Sequence, residues 1–436
     1  MSEFRPVTYP LPTRPRVKYR FERIAVIGLG SVGFPLGISL AQSFYQVVGF
    51  DISKRRIAAL RSGHDATGAI HHAVLADTTL RISGDPADLA QATVYIVAVP
   101  TPTDPANRPD LTALTAACEL VGSHLKRGDL VVFQSVVHPG VTEEYCGQIL
   151  SQVSGLASGV DFNLGCSPDR SDAGDRVHRL DNTVRTVAAD SAAALDRVAA
   201  VYDKVVTAGL YRAASIRVAE AAKLLENTQR DVNIAVMNEM ALICAKIGIS
   251  TREVIDAAAS KWNFVPYQPG LGGGQGCGVN PAGLPEHPPS VIHAARQRND
   301  GMAGHIASVA LGLLAKRGGD LCAARVGLFG IAARENTADL QNSGAVALLH
   351  ALQAHGLDLR VHDAAISAHE AARAGILLSP LADMQDLDMM ILAVPHAAYL
   401  VEQGFLGRMG PAGIVMDVKS VFLRQALPDG CQYWAL

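Results

Sequence analysis

Short apolar runs alternate along the chain with stretches of helical periodicity. Ile24 to Ile27 (IAVI) is the first run, followed by a glycine-interrupted turn and a helix-like stretch to about Phe44. VVGFD ends a second run at Asp51, ATVYIVAVP from Ala92 is a third, and DLVVFQS from Asp129 a fourth. After Arg325 the pattern repeats. Val326–Ala332, Leu359–Asp363, Met389–His396 and Gly413–Ser420 read as strands of another α/β unit. Strands spaced by helices build parallel, doubly wound sheets whose strand C-termini face the ligand. Between the two units, Arg217 to about Gly248 carries apolar residues at helical spacing with no proline or glycine before its end. That predicts one long helix. Lys223, Asn227 and Asp231 lie four apart on it and project from one face, as a solvated polar stripe or as functional groups.

The turn after Ile27 reads Gly28-Leu29-Gly30-Ser31-Val32-Gly33, a G-x-G-x-x-G between strand and helix. The first glycine turns the chain, the second admits a pyrophosphate, and the third lets helix and strand pack. Phosphate oxygens would sit on the helix N-terminus, at Ser31 and Val32. Asp51 ends the second strand, where a carboxylate accepts from ribose hydroxyls and repels a 2′-phosphate, so the expected cofactor is NAD. Arg55 and Arg56 lie on the next helix, where solvated charges are expected, and Arg56 is close enough to count with the cofactor residues. Pro100, Thr101 and Ser135 end later strands and fall on the same rim, as does His138, which reads as a loop residue.

Lys261–Pro281 (KWNFVPYQPGLGGGQGCGVNP) is the other unusual stretch. Gly270, Gly272, Gly273, Gly274, Gly276 and Gly278 exclude a helix interior or central strand. They permit a tight loop whose backbone N–H groups approach a ligand. Trp262, Phe264 and Tyr267 lead into it and are expected to anchor it in a core.

Composition narrows the rest. A chain of 436 residues implies two or three domains, and 49% hydrophobic and 18% charged residues with a net charge of -3 describe an ordinary globular protein. No basic excess suits nucleic acid, and no run of 18 or more apolar residues suits a membrane. The proline-rich N-terminus lacks the apolar segment of a secretory signal and reads as an arm. Seven cysteines without paired spacing favour neither disulfides nor zinc, so a cytoplasmic setting is expected.

GLGSVGFPL, VAVPTPTD, HPGVTEE, AEAAKLLENTQRDVNIAVMNEMA, KWNFVPYQPG and DVKSVF together resemble the UDP-glucose/GDP-mannose dehydrogenase family, within it most of all the UDP-N-acetyl-hexosamine 6-dehydrogenases. The resemblance implies two Rossmann-like doubly wound parallel sheets joined by a helical central domain with one long helix. The bounds are an arm at 1–22, an NAD domain at 23–212, a central dimerisation domain with the glycine-rich loop at 213–318, and a nucleotide-sugar domain at 319–436. It implies a homodimer through the long helix, a nucleotide-linked (UDP) sugar as substrate, and two hydride transfers to NAD through a cysteine thiohemiacetal. Lys223 and Asn227 would stabilise the oxyanion. Tyr267, Gly272, Gly273 and Arg334 would join them in contacting substrate.

The departures cluster on one function. The family loop reads G-G-x-C-x-G-V-D-P. Here Gly276 holds the nucleophile's place, Cys277 follows one residue late, and Asn280 replaces the carboxylate. Asp169 stands for a glutamate, Val136 for a threonine, Gln268 for an arginine, Arg334 for a lysine and Gln341 for an arginine, and the segment after Pro281 is short. Asn280 cannot act as a general base. The reading is therefore an NAD-dependent oxidoreductase with altered chemistry, either a single hydride transfer or a redox-neutral epimerisation. The alternatives are the full four-electron oxidation through Cys277, and a silent homologue that only binds NAD or nucleotide sugar.

Overall fold

The computed structural model describes residues 22–436 apart from 66, 69, 71, 103–108, 171–176, 272–289, 319, 403 and 423–426. It divides into two compact units, Met1–Leu225 and Glu226–Leu436.

The first unit is an eight-stranded sheet of β1 (Ile24–Ile27), β2 (Val47–Phe50), β3 (Arg81–Ser83), β4 (Val94–Val97), β5 (Leu130–Phe133), β6 (Asn163–Cys166), β7 (Arg185–Ala189) and β8 (Leu210–Arg212). Helices α1 (Gly33–Ser43), α2 (Lys54–Arg61), α3 (His72–Ala76), α4 (Thr112–Gly122), α5 (Gly147–Ser154) and α6 (Ala192–Tyr202) connect them. The order β3-β2-β1-β4-β5-β6-β7-β8 reverses direction between β1 and β4, which makes that crevice the ligand position of a doubly wound sheet. Strands β1, β4 and β5 are buried on both faces: Ile24 and Val26 enter one core, Ala25 and Ile27 the other. The sheet is not wholly parallel, because β6 pairs antiparallel with β7. The described part of that connection contains no helix, and without a crossover a strand can only return antiparallel.

Helix α7 (Ile216–Ile247) runs as 32 unbroken residues, as its periodicity predicts. The second unit continues from it through α8 (Thr251–Ala259) and α9 (Ser290–Arg317). It then forms a parallel sheet of β9 (Val326–Phe329), β10 (Leu359–His362), β11 (Leu387–Leu392), β12 (Met409–Asp417) and β13 (Gln432–Ala435), in the order β10-β9-β11-β12-β13. Helices α10 (Gly344–Gln353), α11 (Ala368–Arg373) and α12 (Ala397–Val401) complete it. Met302, Ile306 and Ala310 of α9 share one core with Leu348 and Leu352 of α10 and Val326 of β9. Among the described residues no helix is long and apolar enough to cross a membrane.

One expectation fails here. Trp262 anchors nothing, being 92% exposed, and Phe264 and Tyr267 are only half-buried. The start of the glycine-rich stretch is held by backbone instead. The Gly270 N–H donates to Asn238 Oδ1 at 2.8 Å, and Leu271 packs so closely that a Cβ on Gly344 would lie 2.4 Å from its carbonyl oxygen.

Candidate functional site

The dinucleotide fingerprint takes its expected shape. Gly28 has φ +92°, and a Cβ there would meet the Ala98 carbonyl at 2.8 Å. A Cβ on Gly33 would lie 2.0 Å from the Gly28 carbonyl, so α1 packs on the turn only because that residue is glycine. Gly30 is different: nothing lies within 4 Å of an added Cβ, and Ser31 beside it is exposed. The residue before α1, Val32, caps it with no side-chain hydrogen bond. An open glycine at an uncapped helix start suits a pyrophosphate. Asp51 stands at the end of β2 and accepts from Leu29 N at 2.9 Å and Ser53 N at 2.8 Å. Arg56 corrects the expectation of a solvated charge. Its side chain is 12% exposed, its Nε donates to Leu29 O at 2.8 Å, and its Nη1 pairs with Asp65 at 2.8 Å. Arg55 is exposed as expected.

The loops after β4 and β5 are stitched together at this rim. Thr101 Oγ1 donates to Val136 O at 2.8 Å and Ser135 Oγ to Val99 O at 2.7 Å, with Pro100 exposed between them. His138 is half-buried, and burial lowers its pKa. Glu220 of α7, which the sequence did not single out, is buried and accepts from Gly140 N at 2.7 Å and Thr142 N at 3.0 Å. It fixes the turn after β5 to the helix one turn before Lys223. Desolvation raises its pKa, against those two hydrogen bonds. Asp169 follows β6, with Arg185 Nη2 3.4 Å from its Oδ1. Arg185 is itself buried, bonded to Ser167 and stacked over Tyr202.

The polar row on α7 is not a solvated stripe. Lys223 is half-buried, and Asn227 and Asp231 are buried. Asn227 Oδ1 accepts from Arg230 Nη2 at 3.0 Å. Asp231 pairs with Arg296 of α9 and accepts from Asn299 Nδ2 at 3.0 Å. Asn299 Oδ1 in turn accepts from Asn238 Nδ2 at 2.9 Å, and Asn238 is the residue that holds Gly270. A buried polar chain thus links α7 and α9 to the stem of the glycine-rich stretch. Asn238 and Asn299 escape a sequence reading because an amide among apolar helical positions has no spacing signature.

At the carboxyl end of β9, Gly330 has φ +80°, and the loop beyond it carries the half-buried Arg334 and Glu335. Glu335 pairs with Lys419 from the end of β12, and Lys419 Cε lies 3.5 Å from where a Gly270 Cβ would stand. Burial opposes ionisation of Glu335, but the Lys419 ammonium outweighs it and holds the carboxyl below the usual glutamate range. Asp363, at the end of β10, accepts from Ile331 N (2.6 Å), Ala332 N (3.0 Å), Ala365 N (2.7 Å), Ile366 N (2.9 Å) and His396 Nε2 (3.1 Å). His396 Nδ1 accepts from Asn336 N at 2.8 Å, so the ring proton sits on Nε2. Asp363 and His396 thereby set the loop that presents Arg334. Tyr267 is half-buried ahead of Gly270, whereas Gly272, Gly273, Cys277 and Asn280 lie outside the described residues.

Comparison with known proteins agrees with this geometry. Residues 22–206 match the NAD binding domain, 217–300 the central domain and 327–424 the UDP binding domain of the UDP-glucose/GDP-mannose dehydrogenase family. Protein CapL of Staphylococcus aureus is 39% identical over 421 residues, covering 95% of this chain and 99% of the relative. A UDP-N-acetyl-D-glucosamine 6-dehydrogenase of Pseudomonas aeruginosa is 40% identical over 385 residues, covering 86% and 91%. The structure of a UDP-D-ManNAc dehydrogenase from Pyrococcus horikoshii superposes with a TM-score of 0.84 at 27% identity, covering 95% of this chain and 98% of the other. The glycine cradle, the carboxylate of Asp51 and these three consecutive domain matches place the chain in the UDP-glucose/GDP-mannose dehydrogenase family, with NAD as its cofactor.

Proposed function

We propose that the protein oxidises a CH–OH group of a UDP-linked sugar and that its chemistry stops short of the four-electron oxidation to a carboxylate. The observation that carries this is Gly276 in the nucleophile's place, with Asn280 for the carboxylate, beside an intact cofactor site. Bound NAD supplies the hydride acceptor. The Lys223 ammonium and the Asn227 amide stabilise the alkoxide from which hydride leaves. Asp169, which pairs with Arg185, contributes charge to this chemistry. Arg334, Tyr267, Gly272 and Gly273 contact the nucleotide sugar, and the match of 327–424 to a UDP binding domain supports uridine as its nucleoside. Without a thiol adduct an aldehyde leaves as product, whereas a ketone either leaves or is reduced again on its other face by the same NADH, which gives an epimer. A second reading keeps the carboxylate product with Cys277 as nucleophile. The glycines on either side of that residue favour it, since they tolerate a one-residue shift of the loop.

The test is purified protein with NAD and a panel of UDP- and GDP-sugars, read by NADH formed and by product mass. One NADH per sugar with a carbonyl product, or an epimer with none, is expected. Two NADH with a carboxylate product overturns the truncated chemistry, and NAD or sugar binding without any product would leave a silent homologue.

The assembly belongs to the same proposal. Val236, Ile243 and Ile247 of α7 are exposed at i, i+7 and i+11 and make an apolar stripe that suits a homodimer. Cys118, Cys146, Cys166, Cys244 and Cys431 are free thiols, which suits a reducing cytoplasm.

A further inference from the structure

Asp51 and Arg56 grip the two ends of one residue. Asp51 Oδ2 accepts from the N–H of Leu29, and Arg56 Nε donates to its carbonyl. The carboxylate that meets the adenosine ribose therefore has a guanidinium beside it. A cation there would ordinarily welcome a 2′-phosphate, the group that distinguishes NADP from NAD. This guanidinium is withheld. It lies over the Phe34 ring at 5.3 Å, its Nη1 forms an ion pair with Asp65 Oδ1 at 2.8 Å, and both Nη1 and Nη2 are shielded from solvent with no well-aligned hydrogen-bond acceptor among the described residues. Asp65 is itself immobile. Its side chain is 0% exposed, Oδ1 also accepts from Thr67 N at 3.1 Å and Thr67 Oγ1 at 2.7 Å, and Oδ2 accepts from Ile70 N at 2.9 Å.

We infer that Asp65 is a specificity-determining residue for the cofactor: by pinning and neutralising Arg56 it leaves Asp51 as the net charge at the ribose, and so turns away a 2′-phosphate. The inference rests on the NAD reading and adds to it a residue 14 positions beyond the fingerprint's acidic residue. The uncompensated carboxylate of Asp51 opposes a doubly charged phosphate, whereas a released arginine would offer it charge-assisted hydrogen bonds.

Direct titration with NADH and NADPH, followed by the fluorescence of the reduced nicotinamide, tests this without a sugar substrate. The wild-type chain is expected to bind NADH well and NADPH poorly. Asp65→Asn is expected to shift the NADPH-to-NADH affinity ratio about tenfold or more toward NADPH, the effect of one charge-assisted hydrogen bond. Asp65→Glu, which keeps the charge, is expected to restore the wild-type preference, and Arg56→Gln combined with Asp65→Asn to abolish the gain. Should circular dichroism show Asp65→Asn unfolded, Asp65→Ser retains a hydroxyl acceptor for the turn and is read in the same way. An unchanged ratio in a folded Asp65 variant, or a gain that survives loss of Arg56, overturns the inference while leaving NAD binding intact. A wild-type chain that binds neither nucleotide would overturn the cofactor reading beneath it.

Discussion

Replacing Asp363 with asparagine tests whether the loop after β9 is held electrostatically. Burial opposes ionisation of this carboxyl, but hydrogen bonding from His396 and from the backbone N–H groups of Ala365 and Ile331 outweighs burial and holds its pKa at about 2, against an ordinary 3.8. That depression corresponds to about 2.5 kcal/mol favouring the ionised, folded state. The side chain is 0% exposed, so solvent screening removes little of it. Asparagine forfeits this term and turns an NH2 toward buried N–H donors, each unmade bond adding about 1 kcal/mol or more. The expected loss for Asp363→Asn is about 3–5 kcal/mol at neutral pH. Because the folded pKa lies below the unfolded one, the wild-type contribution is present above pH 4 and is lost as pH falls toward about 2. The gap between the two proteins should narrow over that interval. Urea unfolding followed by tryptophan fluorescence is the assay. Of the two tryptophans, Trp434 packs against the core of the second sheet and reports its unfolding, while Trp262 is already 92% exposed. A midpoint unmoved by the substitution, or a difference undiminished near pH 2, would refute the reasoning.

Asn238→Ala leaves the buried Gly270 N–H and the Asn299 amide oxygen unpaired, so the same fluorescence assay should show a loss of about 2–4 kcal/mol, with weakened binding of nucleotide sugar in calorimetry. Gly33→Ala puts a methyl 2.0 Å from the Gly28 carbonyl, in a turn whose Gly28 N–H is tied to Phe50 O at 2.8 Å, and NADH titration should show binding abolished. Cys277→Ser should leave turnover within a few-fold of wild type if the loop positions substrate; a loss of a hundredfold or more in kcat would restore Cys277 as nucleophile.

Much of the cofactor half was legible because its constraints are local. Gly28, Gly30 and Gly33 each carry a steric role readable from spacing, and Asp51 follows at the end of the next strand. The long helix was legible from 32 residues without a breaker. What stayed hidden depends on partners distant in sequence. Glu220 reaches 80 residues back to Gly140, and Asn299 reaches 68 back to Asp231. Arg56 looked like surface charge because nothing in its own helix announces Asp65 or the ring of Phe34. The aromatic run before the glycines misled for the opposite reason. Trp262 suggested an anchor, while the actual tether is a main-chain N–H that no side-chain pattern reveals. The strand β13, QYWA, was not read although Pro428-Asp429-Gly430 marks a turn just before it.

The two sheets carry an aspartate at the same topological place, at the end of the strand beside the first one, and lone-pair arithmetic separates their fates. A carboxylate offers about four acceptor sites. Asp51 receives two backbone donors, from Leu29 and Ser53, and keeps about half of its capacity for an incoming hydroxyl pair. Asp363 receives five, four from the backbone and one from His396, and is oversubscribed. The first is an open valence and the second a closed one. A ribose offered to the second sheet would find no acceptor left, even if three glycines were engineered into the turn before it. Grafting a dinucleotide site onto that half would therefore take more than evicting His396, because the four backbone donors alone fill the carboxylate.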